Sequence, residues 1–226
     1  MDYLNYNKPV KQPPSSDEVM GLFPIPLLVS SYTLDYTKEL EWIKNCNYNK
    51  NSNISVNLDA KFTSRQSKDT FLLDRPELIN IRSFIEEKLS YYVNNVLQSS
   101  SELVITQSWS NVNGKGEWHD EHTHPNSIVS GVFYLHNNDS LPPIQFRAYG
   151  QRDVTLSVKK FNNFNSSTYM LPMKKGELIL FPSDLQHSVP VNQSDEERIS
   201  LSFNTWCKGS AGNIETLTYL PLDRCV

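Results

Sequence analysis

The sequence predicts a mainly β protein, an antiparallel sandwich or barrel with helices ahead of it, and three observations predict it. Beyond residue 101 the chain breaks into short β-rich runs with turn residues between them, the pattern of an all-β sheet protein. Before residue 101 the strongest periodicity is helical. With 11 Tyr, 10 Phe and 4 Trp among 226 residues, the chain has enough bulky apolar surface for a real core, so it is not wholly disordered.

Each element follows from local composition. Residues 1–17 are polar, with Pro9, Pro13 and Pro14, and read as a flexible arm ahead of one domain over 18–226. In the apolar stretch Leu22–Val29, Pro24 and Pro26 forbid a helix interior or a central strand, so an edge strand or extended packing segment is expected. Residues 36–46 suit a short helix with Leu40 and Ile43 on one face, and 47–70 are Asn/Ser-rich and read as loop. Residues 76–98 form the longest expected helix. Pro76 fits its first position, and Leu78, Ile81, Phe84, Ile85, Leu89 and Tyr92 recur at three-to-four spacing to give one apolar face. Strands are expected over 103–109, 127–135, 144–148, 153–158, 168–171, 177–181, 187–191, 198–206 and 215–220. The helical part thus spans about 36–98 and the β part about 102–222, with no internal repeat.

Composition narrows the function. The net charge of -4 tilts against a general nucleic-acid binder. No run approaches the roughly 18 apolar residues of a membrane span, and the first residues lack the apolar core of a signal peptide. Cys46, Cys207 and Cys225 are odd in number and far apart, which fits a reducing cytoplasm rather than a disulfide framework. An oligomer is left open.

Three of the five histidines fall within Trp118-His119-Asp120-Glu121-His122-Thr123-His124-Pro125. On an extended backbone His122 and His124 point one way, and His119 with Glu121 the other. Two imidazoles at i and i+2 can hold one metal ion, and His187, where a strand ends after Glu177–Ser183, is the favoured third ligand; the plainer reading is a set of exposed polar residues. Eleven residues on, Arg198, Ser200 and Ser202 share a strand face. A guanidinium fork beside a hydroxyl suits a carboxylate. The competing reading is a surface arginine paired with Glu196 or Glu197.

Taken in order and spacing, Trp109-Ser110-Asn111-Val112-Asn113, His122-Thr123-His124-Pro125, Ser130–Leu135, Gly176–Ser183, His187-Ser188-Val189 and Arg198–Asn204 resemble the iron(II)- and 2-oxoglutarate-dependent oxygenases, above all uncharacterised members from marine bacteria and phages. The resemblance implies a double-stranded β-helix, a cupin-like jelly-roll, with the N-terminal helices packed on it. It implies iron(II) in a facial triad, 2-oxoglutarate and O2 as co-substrates, and a small-molecule or peptidyl substrate, in the cytoplasm (of the host, if phage-encoded). On it, His122 and His187 match the two histidine ligands, Arg198 with Ser200 the grip on the far carboxylate, and Tyr134 a tyrosine that reaches the same group. The chain departs from the broad pattern at His124, where an acid is expected. His124 as third ligand is the favoured reading, over Glu121 or a two-histidine site. Asp120, Glu121 or Asp184 are expected to orient an imidazole from behind. The alternatives are a cupin-like three-histidine metalloprotein that does not use 2-oxoglutarate, and a non-catalytic phage interaction module.

Overall fold

The computed structural model describes residues 19–51, 64–150 and 156–222. The expected arm at 1–17, half of the expected loop (52–63) and part of the 153–158 strand lie outside the described residues. Strand β1 (Leu28–Ser31) is followed by α1 (Thr37–Lys44), β2 (Tyr48–Asn51), β3 (Ser64–Ser67) and α2 (Ile79–Tyr91). Strands β4 (Leu103–Asn113), β5 (His119–His122), β6 (Val129–His136), β7 (Ile144–Arg147), β8 (Thr168–Leu171), β9 (Glu177–Pro182), β10 (His187–Val189) and β11 (Arg198–Cys207) come next, and a short pair, β12 (Ser210–Ala211) and β13 (Leu220–Pro221), follows. A seven-stranded sheet, β1-β9-β6-β11-β4-β3-β2, faces a four-stranded sheet, β5-β10-β7-β8; every strand pairing is antiparallel. This is a jelly-roll with helices on its outer face, as the sequence predicts.

The differences from expectation have local causes. β2 and β3 arise in the Asn/Ser-rich stretch read as loop, because the free edge of β4 supplies pairing partners, Val112 and Asn111 opposite Arg65 and Gln66. Tertiary pairing overrides weak strand propensity there. No strand forms over 215–219, where residues 214–217 make a turn instead. Residues 156–158 have no regular structure. After Pro24 and Pro26 only the end of the apolar stretch pairs, as the edge strand β1 against β9. The long helix occupies the middle of its expected range, opened by a 3-10 turn at Pro76–Leu78 and closed by a π turn at Tyr92–Val96.

Strand alternation sorts the large sheet into two faces. Phe133 and Leu135 of β6, Leu178 and Leu180 of β9, and Ile199, Leu201 and Phe203 of β11 pack against Ile43, Ile81, Ile85, Leu89 and Tyr92 of the helical layer. Phe133 sits edge-on among the rings of Tyr32, Tyr36 and Phe84, 5.7–6.3 Å between centroids. Gly131 keeps this face closed. A Cβ there would stand 2.2 Å from Phe203 Cζ. The opposite face carries Val132, Tyr134, Ile179 and Phe181, which meet Ile144 and Phe146 of the small sheet. At β4 and β11 that inner face turns polar: Asn111 and Asn113 stand beside Arg198, Ser200 and Ser202, all buried.

Candidate metal centre and anion pocket

His187 on β10 is the cross-strand partner of His122 on β5, so strand pairing alone brings two imidazoles together. His124 follows β5, and its backbone N–H donates to Ser183 O at 2.9 Å, which ties the turn to the end of β9. Ring nitrogens of His122, His124 and His187 all lie within 4.8 Å of one another. His124 Nε2 and His187 Nε2 are 3.2 Å apart. Two cis imidazole nitrogens, each roughly 2.1 Å from one ion, stand about 3 Å apart, so the observed spacing fits a shared cation.

The protonation state fits as well. His122 Nδ1 meets Asp120 O at 2.7 Å and His187 Nδ1 meets Leu185 O at 2.9 Å. A carbonyl only accepts, so Nδ1 carries the proton in both rings and Nε2 presents its lone pair. Burial, with His122 nearby, holds His124 and His187 down to about 3, so both are neutral at pH 7. Neutral imidazoles at His124 and His187, beside His122 within 4.8 Å, make a donor set suited to a metal ion.

Backbone carbonyls, not the expected carboxylates, orient these rings. Asp120 accepts from Trp118 Nε1 at 2.7 Å, Asp184 accepts from Tyr149 OH at 2.8 Å, and Glu121 pairs with Arg147. Glu121 is outside the three-histidine group. His119 also departs from simple alternation. Between β5 and β10 the register shifts, so that the four residues His119 to His122 oppose the three from His187 to Val189. A bulge re-aims a side chain, and the His119 ring stacks on His122 at 5.1 Å. Trp109 leans on His124 at 5.7 Å, and Phe181 closes on His187 at 4.9 Å.

The inner face of β4 and β11 leads from this cluster to a second polar group. Trp109, Asn111 and Asn113 run opposite Ser202, Ser200 and Arg198. Arg198 is 2% exposed and has no carboxylate partner among the described residues, so the surface ion pair with Glu196 or Glu197 does not form. Its Nη1 donates to Ser200 Oγ at 3.3 Å, and its guanidinium lies 4.9 Å from the Tyr134 ring centre. Tyr134 is wholly buried, and burial pushes its phenol up, so it is protonated at pH 7. Arg198 Nε and Tyr134 OH have no hydrogen-bond partner. Ser200, Arg198 and Tyr134, named from sequence, therefore stand together. Asn111 and Asn113 were not, because the expected strand stops at Trp109 and the polar pair Ser110-Asn111 breaks the alternation that would extend it.

A buried cationic group with unpartnered donors, at the other end of a polar face from a three-nitrogen metal cluster, can hold a metal-chelating acid by its second, anionic end. Residues 107–204 match the family described as "Putative 2OG-Fe(II) oxygenase". No curated protein matches the sequence. Among solved structures, the non-heme α-ketoglutarate-dependent epimerase SnoN of nogalamycin biosynthesis superposes with a TM-score of 0.60 at 12% identity, covering 82% of this chain and 80% of that one. A prolyl-4-hydroxylase of Pseudomonas putida gives 0.53 at 13%, covering 82% and 94%. HygX of Streptomyces hygroscopicus, with nickel, 2-oxoglutarate and hygromycin B bound, gives 0.54 at 11%, covering 80% and 82%. At such identities these structures speak for the fold. The matched segment carries all three clustered histidines, Tyr134, Arg198 and Ser200, and over that segment the chain is similar to the 2OG-Fe(II) oxygenases.

Proposed function

We propose that the protein is an iron(II)- and 2-oxoglutarate-dependent dioxygenase that hydroxylates an organic substrate, consuming O2 and releasing succinate and CO2. His122, His124 and His187 are the metal ligands; Arg198, Ser200 and Tyr134 bind the far carboxylate of 2-oxoglutarate. Bound there, iron(II) supplies the activation of O2 coupled to decarboxylation of the keto acid. The chain's part is positional. Asp120 O and Leu185 O hold two imidazoles with Nε2 facing the ion. Arg198, buried and without a carboxylate partner among the described residues, draws in the dianion and fixes its far end, so that its keto-acid end faces the histidines. Tyr134, protonated, donates to the same carboxylate. Trp109, Phe146 and Phe181 pack around the histidines and keep water from them. Three neutral ligands leave the ion its full positive charge, which favours a dianionic chelator. Among the described residues no helix is long and apolar enough to cross a membrane. Cys46 and Cys207 are free thiols, which supports the cytoplasm as its compartment.

The observation that carries this reading is the buried Arg198, with no carboxylate partner among the described residues, on the strand face that leads to the three-histidine cluster. It favours 2-oxoglutarate chemistry over a cupin-like site or a binding module that takes no anion, because the arginine then stays without a counter-ion. Anaerobic calorimetry of the iron(II)-loaded protein tests it. The wild type binds 2-oxoglutarate at one per chain and Arg198→Ala binds it at least tenfold more weakly; equal binding by the two rejects the assignment.

A further inference from the structure

The polar group around Arg198 has more hydrogen-bonding capacity than the chain itself uses. Asn113 is 0% exposed and is the cross-strand partner of Arg198. Its Oδ1 accepts from Arg198 Nη1 at 3.5 Å, its backbone carbonyl accepts from Asn192 Nδ2 at 3.0 Å, and its own Nδ2 has no partner. Arg198 Nε and Tyr134 OH are left over in the same place. Buried polar groups are nearly always paired, and leaving one unpaired is costly. Asn113 Nδ2 and Arg198 Nε can only donate. What satisfies them together is an acceptor with several lone pairs, and next to an arginine with no counter-ion it is an anion.

We propose that Asn113 is a co-substrate-selecting residue. Its Nδ2 donates to the far carboxylate of the keto acid while its Oδ1 holds Arg198 in place, so the pocket favours keto acids that end in a second carboxylate over those with the same head and none. This rests on the 2-oxoglutarate reading above. An amide is suited to the double task because it offers an acceptor to the guanidinium and a donor to the ligand. An aspartate at 113 would offer acceptors only. It would also ion-pair with Arg198 and take the position of the incoming carboxylate.

The test titrates the iron(II)-loaded protein anaerobically with 2-oxoglutarate and with pyruvate, which has the keto-acid head alone. In Asn113→Asp, 2-oxoglutarate weakens by roughly tenfold or more, while pyruvate and iron(II) bind as in wild type. Asn113→Ser, which keeps a hydroxyl donor on a shorter arm, lowers the preference for 2-oxoglutarate over pyruvate by roughly threefold, and it carries the test alone should Asn113→Asp not fold. An unchanged preference in the folded variants overturns the proposal, and so does an equal loss of both acids or of iron, which marks a merely structural residue. A wild type that binds iron(II) but no 2-oxoglutarate instead defeats the reading of the whole site, so the two failures are distinct.

Discussion

The two faces of the large sheet are built from the same strands and do opposite things. On β11, Ile199, Leu201 and Phe203 fill the face toward the helices, and Arg198, Ser200 and Ser202 line the face toward the small sheet. The first is apolar and full, closed even at Gly131. The second is equally buried, yet Asn113 Nδ2, Tyr134 OH and Arg198 Nε stay unpaired. Packing of the first kind stabilises the fold. Unpaired groups of the second kind cost stability and are kept where a ligand satisfies them. On the proposed reading, one strand separates holding the fold from holding a ligand, residue by residue.

That division can be broken from either side. Phe133→Ala empties the centre of the apolar face and costs about 3–5 kcal/mol of unfolding free energy. Chemical denaturation measures it, and iron(II) affinity below the transition stays at the wild-type level. Arg198→Met acts on the other face. It loses about 2–5 kcal/mol of 2-oxoglutarate binding, while the melting temperature of the ligand-free protein stays level or rises, because a buried charge without a partner is gone. A fall in melting temperature there would show Arg198 to be part of the structural core. Gly131→Ala forces a methyl against Phe203 and Leu180 and costs about 1–3 kcal/mol by denaturation.

A separate effect comes with acid. His124 and His187 are held at about 3 in the fold, against roughly 6.5 in an unfolded chain. Between those values the unfolded chain binds more protons than the folded one, so stability rises with pH. The metal-free protein therefore keeps this contribution above about pH 6.5 and loses it as the pH falls toward 3. Melting scans across that range show the loss, and His187→Gln makes it shallower.

What could be read from the sequence divides along the same line. Periodicity exposes the full face, because Leu78, Ile81, Ile85 and Leu89 repeat at helical spacing and all are buried. It also exposes the ligand candidates, because His122 and His124 alternate and His187 ends a strand. The bulge that turns His119 back onto His122 depends on register with β10, a strand more than sixty residues away, and local pattern carries no trace of it. Asn111 and Asn113 stayed hidden for the opposite reason. Polar residues at a strand end look like a loop until the edge strand β3 and the long β11 extend β4 to residue 113. Likewise, 215–219 has strand-forming residues but makes a turn.

The central claim is that three imidazoles, without a carboxylate, hold the iron. Anaerobic iron(II) titration of His122→Ala, His124→Ala, His187→Ala and Glu121→Ala tests it most directly. The account predicts one iron per chain in the wild type, a loss of tenfold or more in affinity for each histidine variant, and no change for Glu121→Ala. Wild-type affinity in His124→Ala, or lost iron in Glu121→Ala, would contradict it.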